Sequence, residues 1–161
     1  MKKTLISAYI VGGLVLVALV CVVVYTWPRP TLNLPEGFVE VEAHRRGRFE
    51  QRAVAADGTV IGLRRQNNPE NGSLKFWDAA IKRELTEGRG YKIDAEEEVK
   101  SDAGKTGRLM KFTTESLGKE AAYVVALFVT DGQVLVAEAG GAAEAMKSRA
   151  DEIRKCLLTA R

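Results

Sequence analysis

The string DAGKTG, from Asp102 to Gly107, comes nearest to a motif that could do chemistry. A phosphate-binding loop has the form G-x-x-x-x-G-K-[ST], and its backbone N–H groups hold phosphate just before a helix begins. Here Val99 stands where the first glycine is required, and a strand pattern follows in place of a helix. We therefore predict a hairpin loop at this string and no nucleotide site.

The chain has one histidine, His44, and it lies beside Arg45, Arg46 and Arg48. A metal site needs several ligands in one place, and positive neighbours disfavour a bound cation. The two cysteines are distant in sequence, and one of them lies in an apolar stretch near the N-terminus. We expect a solvated histidine and no metal site.

Carboxylates and serines also give no catalytic pattern. Glu96, Glu97 and Glu98 are consecutive, and neighbouring residues of a strand point to opposite faces, so they do not form a catalytic pair. A charged edge strand explains the run, because such charge blocks pairing with other chains. The serines lack the G-x-S-x-G context of acyl transfer. We predict no catalytic residues, no cofactor and no enzymatic activity.

A candidate interaction patch consists of five arginines from two neighbouring segments, Arg45, Arg46, Arg48, Arg64 and Arg65. Each basic residue near an anionic surface contributes about 1 kcal/mol to binding, so the patch suits lipid headgroups or an acidic partner. The alternative is a solvated edge that Glu50, opposite Arg65, partly neutralises. The sequence leaves both interpretations open.

An uncharged apolar stretch runs from Thr4 to Trp27. At about 1.5 Å per residue, a helix of this length crosses about 30 Å of hydrocarbon. No small-x-small cleavage site follows Ala18, and Val20 precedes Cys21 where a lipoprotein signal needs a small residue. The stretch is therefore predicted to remain as a membrane helix.

We predict a transmembrane anchor over residues 1–27, with Leu5 near its start and the rings of Tyr25 and Trp27 at the far headgroup level. The two lysines before the span place the N-terminus in the cytoplasm. The remaining chain then lies in the periplasm, at a bacterial inner membrane.

Within the span, Ala8 and Gly12 form a small-xxx-small pair that would let another helix approach closely. Such pairs are also frequent by chance in apolar helices. A plain lipid-facing anchor and a helix-packing site both remain open.

Pro28, Pro30 and Pro35 predict a stiff extended linker over residues 28–37, which would hold the domain within about 30 Å of the membrane. Residues 38–161 then form one extracytoplasmic domain. After the first 27 residues, 22 basic residues balance 21 acidic ones, and this near-neutrality argues against a nucleic-acid partner.

Short alternating runs follow the linker. The string FEQRAVAADGTVIGLRRQ predicts a hairpin with Asp57 and Gly58 in a two-residue turn, and this register places Val54 opposite Ile61. A helix then begins after Ser73 as its N-cap and ends at two glycines. Its buried stripe consists of residues spaced three and four apart, Leu74, Trp77, Ile81 and Leu85.

Further strands are predicted at YKIDAEEEV, GRLMKFTT, AAYVVALFVT and QVLVAEAG, with a turn at Asp131 and Gly132 between the last two. The closing string AAEAMKSRADEIRKCLL predicts a helix whose inner face consists of Met146, Ala150, Ile153 and Leu157. The fold class is therefore α+β, an antiparallel β-sheet packed with two α-helices.

These elements resemble the PsbP/DcrB-like family over nearly all of residues 34–158. The resemblance lies in the opening LPEGF from Leu34 to Phe38, the first hairpin, the helix with Trp77, the hairpin AAYVVALFVTDGQVLVAEAG and the closing amphipathic helix. It implies a PsbP-like α-β-α sandwich and a binding or assembly role, because family members are generally accessory subunits, chaperones or lipoproteins. It supplies no active site, and it departs from many relatives in keeping an N-terminal helix.

We therefore expect a non-enzymatic, single-pass accessory or assembly subunit of a larger bacterial membrane complex, photosynthetic or respiratory. Its expected partners are membrane lipid and the other subunits. The alternative is a module that binds a lipid or another small apolar ligand in a hydrophobic cleft between sheet and helix.

Overall fold

One antiparallel sheet of seven strands organises the domain in the computed structural model, which describes residues 29–41, 49–116, 118–130 and 132–161. The strands are β1 (Phe38–Glu40), β2 (Gln51–Ala55), β3 (Val60–Asn68), β4 (Lys92–Lys100), β5 (Thr106–Ser116), β6 (Lys119–Thr130) and β7 (Gly132–Ala142). The helices are α1 (Leu74–Arg83), which continues as a π-helical turn (Glu84–Gly88), then α2 (Ala143–Ser148) and α3 (Ala150–Leu158).

The strand order across the sheet is β1-β2-β3-β7-β6-β5-β4, and every neighbouring pair is antiparallel. Helix α1 packs on β5 and β6 from one side, and α2 and α3 pack on β6 and β7 from the other side. Two apolar cores result, one under each helical layer. The predicted α+β class and α-β-α layering are confirmed.

Helix α1 begins and packs as its sequence predicts. The Ser73 Oγ accepts a hydrogen bond from the backbone N–H of Phe76 at 3.2 Å, so the N-cap satisfies a donor that the first turn leaves free. The predicted stripe, Leu74, Trp77, Ile81 and Leu85, packs on a core whose sheet side includes Met110, Phe112, Val125 and Leu127. Burial of this stripe holds the helix on the sheet.

The register of the β2–β3 hairpin differs from the predicted one. Ala53 lies opposite Ile61, where a two-residue turn would have placed Val54. The loop has three residues, 56–58, and Gly58 ends it at a φ of +84°. A turn followed by a left-handed glycine is the usual way to close a three-residue hairpin loop, and it shifts the pairing by one residue.

The predicted closing helix is two helices, because Arg149 leaves the helical conformation with φ −113° and ψ 14°. Met146, Ile153 and Leu157 are buried as predicted. Ala150 is exposed, so its predicted place on the buried face is wrong. The break changes the phase of the second helix, and a single helical period does not describe both.

The described part of the predicted linker, residues 29–37, packs on the domain instead of spanning a gap. Leu32 is buried, and its backbone N–H donates to the Gln51 Oε1 at 2.6 Å. The Thr31 N–H donates to the Arg161 carbonyl oxygen at 3.0 Å, and the Arg161 N–H returns a bond of 3.4 Å. The domain therefore begins within a few residues of the predicted span.

Several predicted features lie outside the described residues. They are Leu5, Ala8, Gly12, Cys21, Tyr25 and Trp27 in the anchor, His44, Arg45, Arg46 and Arg48 after β1, and Asp131. Within the part of the chain that is described, no helix has both the length and the apolar character needed to cross a bilayer. The anchor, its orientation and its compartment stay predictions.

Candidate interaction surface

Part of the sheet has no helix over it on the α1 side. Helix α1 lies on β5 and β6, and the π-helical turn contacts β4. Trp77 of α1 reaches the end of β3, where its Nε1–H donates to the Asn68 Oδ1 at 3.1 Å. Among the described residues, no helix covers β1, β2 or the rest of β3 on this side. Half-buried or exposed side chains occupy this area, which we call the helix-free face, namely Val39, Phe49, Arg52, Val54, Val60 and Arg64.

The large apolar side chains that the described surface exposes all lie on the α1 side. Val39 is 67% exposed and lies opposite Val54 on the helix-free face. Phe76 is 60% exposed on α1 itself. Ile93 is 42% exposed on β4, directly opposite Phe112, whose ring belongs to the core under α1. The α1 side of the domain thus exposes three large apolar side chains that are not part of either core. Exposed apolar side chains of this size are candidates for contact with a partner.

The helix-free face is joined to β7 by an ion pair between Arg64 and Glu138. Glu138 is buried in the middle of the sheet, and the Arg64 guanidinium also lies 5.9 Å from the centroid of the Phe49 ring. Gly62 leaves room for the Phe49 ring at this position, because a Cβ at residue 62 would overlap that ring. The ion pair gives the buried Glu138 carboxylate a positively charged partner within the sheet.

Tyr123 lies beside this ion pair on β6. Burial raises the pKa of the Tyr123 hydroxyl well above its usual range, and the charge and hydrogen bonding of Glu138 raise it further. The ring makes an edge-to-face contact with Tyr91 at a centroid distance of 5.6 Å. The hydroxyl therefore stays protonated at neutral pH and is not an activated nucleophile.

The acidic run of β4 holds helices and does not form a site. Glu96 accepts from the Lys82 Nζ at 2.8 Å on the α1 side, and Glu97 pairs with Arg154 of α3 at 3.2 Å. The predicted alternation to opposite faces is confirmed. The hydrogen bond to Glu96, and then the one to Asp78, raises the pKa of Lys82, and the same Lys82 bond lowers the pKa of Glu96. Elsewhere among the described residues, no group of three or more metal-ligating side chains could hold a metal ion.

The loop at Asp102 to Gly107 is the predicted hairpin loop between β4 and β5. Ser101 and Lys105 close it, since the Ser101 N–H donates to the Lys105 carbonyl oxygen at 2.9 Å. No helix follows, and β5 begins at Thr106. The loop therefore lacks the geometry that holds a nucleotide phosphate.

Arg64 and Arg65, the described members of the predicted arginine patch, point to opposite faces of β3. Arg64 pairs with Glu138 on the α1 side, whereas Arg65 pairs with Glu50 at 3.0 Å on the α3 side. They do not share one surface. Arg65 instead lines a cleft of about 430 Å³ with Arg29, Lys105 and Arg161, a grouping that the sequence did not predict because four distant segments supply it.

A second cleft lies on the outer surface of α1. It is an open groove of about 700 Å³ that Phe76, Ala79, Ala80 and Arg83 line together with the π-helical turn. The space between α1 and the sheet is filled by the apolar core described above. An apolar ligand would therefore have to bind on the groove and not beneath the helix.

Comparisons with known proteins bear on the fold. No protein-family model matches the chain, and no curated protein matches its sequence. The solution structure of cyanobacterial PsbP (CyanoP) from Synechocystis is similar, with a TM-score of 0.59 and 9% identity over 83% of this chain and 86% of that one.

Two further structures share the architecture. LpqN, described as involved in cell envelope biogenesis of Mycobacterium tuberculosis, has a TM-score of 0.57 and 14% identity, with 79% of each chain covered. The Ran-binding protein Mog1p of Saccharomyces cerevisiae has a TM-score of 0.53 and 15% identity over 81% of this chain and 84% of that one. At these identities the likeness shows the fold alone. The resemblance to PsbP/DcrB-like proteins is confirmed at that level.

Proposed function

We propose that the protein is a non-enzymatic accessory or assembly subunit of a bacterial membrane protein complex. In this proposal residues 1–27 anchor it in the inner membrane and the domain lies in the periplasm. The observation that carries the proposal is the location of Val39, Phe76 and Ile93, which are exposed on one side of the sheet. They extend across this side from the edge strand β1 to the opposite edge strand β4, with α1 between them. Exposed apolar and aromatic side chains are enriched in protein interfaces.

The charges of that side support a protein partner. The ion pair between Arg64 and Glu138 leaves little net charge in the middle of the helix-free face. Arg83 lines the groove on α1 together with Phe76, and Arg52 precedes Val54, the strand partner of Val39, by two residues on β2. Polar groups of this kind are typical of the rim of an interface. The neutralised Glu138 and the protonated Tyr123 offer no reactive group for catalysis. The similar structures are a PsbP, a protein involved in cell envelope biogenesis and a Ran-binding protein, which agrees with a binding role.

Affinity capture of the full chain from gently solubilised native membranes tests the proposal. We expect defined membrane subunits to co-purify at native expression level, and native gel electrophoresis to show one large complex. Phe76→Asp and Val39→Asp should each reduce the captured subunits about tenfold or more, because truncating an interface anchor costs 2 kcal/mol or more. Ala150→Asp, at an exposed site on α3, is the matched control.

Migration of the unmodified protein as a free monomer would overturn the proposal. If all three variants captured the same amount of partner subunits, the α1 side would not be the binding surface.

The groove on α1 keeps the ligand-binding alternative open to a direct test. If the protein carries an apolar ligand, native mass spectrometry of the full chain released from detergent will show a bound small molecule of constant mass. Its loss in Phe76→Asp, together with the absence of co-purifying subunits, would favour a carrier of an apolar ligand over an accessory subunit. A bare polypeptide mass would count against the carrier.

A further inference from the structure

A cationic cleft lies where the two ends of the described domain meet, and we call it the terminal cleft. Its cations are Arg29 from the start of the domain, Arg65 from β3, Lys105 from the β4–β5 loop and Arg161. The backbone bonds between Thr31 and Arg161 fix two of these segments beside each other. The four charges thus come from separate parts of the sequence and meet on one cavity of about 430 Å³.

The positive charge of the terminal cleft is only partly neutralised. Glu50 pairs with Arg65. Among the described residues, Arg29, Lys105 and Arg161 form no ion pair with an acidic side chain. No acidic side chain of the described residues lines the cavity. Like charges gathered without counter-charges repel each other, and a bound anion relieves that repulsion.

The lining of the cleft suits a phosphate group. Guanidinium groups bind phosphate oxygens with two parallel hydrogen bonds, and an ammonium adds a point charge. The side chains of Thr130 and Gln133 add polar groups at the β6–β7 turn. Buried Leu135 contributes to the apolar part of the lining. The four positive charges make the cleft unfavourable for a bound cation.

The cleft also lies close to the predicted bilayer. Arg29 follows the end of the predicted span, Trp27, by two residues, and the residues after it pack on the domain without forming a spacer. Lipid phosphates lie at the depth where such a span ends. Basic groups at this position are within reach of an anionic headgroup.

We propose that the terminal cleft binds a phosphate group and that an anionic lipid headgroup supplies it. The cleft would then fix the orientation of the domain on the membrane, with β3, the β4–β5 loop and the β6–β7 turn near the headgroups. The choice of lipid as the source rests on the membrane anchor of the proposed function. The test needs no partner subunit, so it can fail while the accessory role stands.

The experiment compares the full chain with two doubly substituted variants, each of which loses two positive charges. The cleft variant, Lys105→Gln with Arg161→Gln, removes two of the four positive charges that line the cleft. The control variant, Lys75→Gln with Lys147→Gln, removes two exposed lysines elsewhere on the domain. Native mass spectrometry from micelles that contain phosphatidylglycerol or phosphatidylcholine measures lipid retention. Thermal shift with inorganic phosphate measures the free anion.

We expect the unmodified chain and the control variant to retain phosphatidylglycerol equally. The fraction of the cleft variant that retains this lipid should be at least about tenfold lower. Stabilisation by inorganic phosphate that is lost in the cleft variant, without any difference in lipid retention, would assign the site to free phosphate and overturn the lipid source. Equal behaviour of the cleft variant and the control toward both probes would overturn the site itself.

Discussion

The guanidinium of Arg149 lies over the ring of Phe38, with its Cζ 4.5 Å from the ring centroid. The same side chain donates from Nη2 to the carbonyl oxygen of Glu36 at 2.8 Å, and its other nitrogens pair with Asp57 at 3.6 Å and Glu152 at 3.2 Å. One residue therefore joins the start of β1, the β2–β3 turn and α3. These contacts also accompany the break between α2 and α3, because Arg149 leaves the helical conformation where it makes them.

Replacing Arg149 should destabilise the domain more than replacing an ordinary surface arginine. We expect Arg149→Ala to lower the free energy of unfolding by about 2–3 kcal/mol, because a cation–π contact, a bond to a carbonyl and partly buried ion pairs are lost together. Arg149→Lys should recover part of this, since lysine lacks the planar fork. Urea unfolding measures both. Arg154→Ala, which loses an exposed pair with Glu97, is the control and should cost less than about 1 kcal/mol. Equal losses at positions 149 and 154 would contradict the special role of Arg149.

Two glycines should respond in opposite ways to the same substitution. A Cβ on Gly107 would overlap the Leu127 carbonyl oxygen and the Phe128 ring, whereas a Cβ on Gly88 meets nothing within 4 Å. We expect Gly107→Ala to lower the free energy of unfolding by about 1–3 kcal/mol or more, because backbone does not yield easily. Gly88→Ala should raise it by about 0.4–1 kcal/mol, because it restricts the unfolded chain. Denaturant midpoints measure both, and a neutral Gly107→Ala would show that β5 and β6 can move apart.

The elements with a strong local signal were predictable. Ser73 caps α1, and Thr130 lies opposite Gln133 at the end of the β6–β7 pair. The stripe from Leu74 to Leu85 packs on the sheet, with Leu85 buried and the other members half-buried. The β2–β3 register was not, because an Asp-Gly pair suits both a two-residue and a three-residue loop. The break between α2 and α3 at Arg149 also has no local signal. No helix-breaking residue marks it, and several side-chain partners of Arg149 lie far away in sequence.

The candidate surfaces could be predicted only in part. The separation of Glu96 from Glu97 follows from strand alternation. The same rule separates Arg64 from Arg65, so the predicted grouping of these two arginines in one patch is wrong. The terminal cleft depends on the sheet order, which brings Arg65 near Lys105 and Arg161. The helix-free face depends on where α1 lies across the strands. Neither placement has a local signal in the sequence.

The ion pair between Arg64 and Glu138 should be energetically coupled. Glu138→Gln leaves the Arg64 charge without its partner, and the Arg64 Nε already has no acceptor among the described residues. Breaking a fully buried pair costs about 3–5 kcal/mol, and the 32% exposure of the Arg64 side chain reduces that figure, so we expect about 1–3 kcal/mol. A double-mutant cycle with Arg64→Met should give a coupling energy of about 1–2 kcal/mol.

The matched control for this cycle is the exposed pair of Arg83 and Glu87 on α1, whose side chains are 80% and 68% exposed. Pairs of this kind contribute about 0.3–0.5 kcal/mol. Both cycles use unfolding in urea at neutral pH and moderate salt. A coupling at Arg64 and Glu138 no larger than that of the control would mean that water reaches the pair and screens it.

Alkaline pH should destabilise the domain through Tyr123. Burial and Glu138 raise the pKa of its hydroxyl above the ordinary value of 10.0, so the folded state holds the proton more tightly than the unfolded chain does. This contribution to stability is fully present below pH 10 and is lost as the pH rises further, by up to about 1.4 kcal/mol per pH unit. Burial also raises the pKa of the Cys156 thiol to about 11, which adds to the slope from about pH 9 in every variant.

Tyr123→Phe should therefore flatten the fall in the free energy of unfolding between pH 10 and 11, whereas Tyr91→Phe should not. Urea unfolding followed by circular dichroism measures this, and identical slopes in the two variants would show that Tyr123 ionises without unfolding the protein.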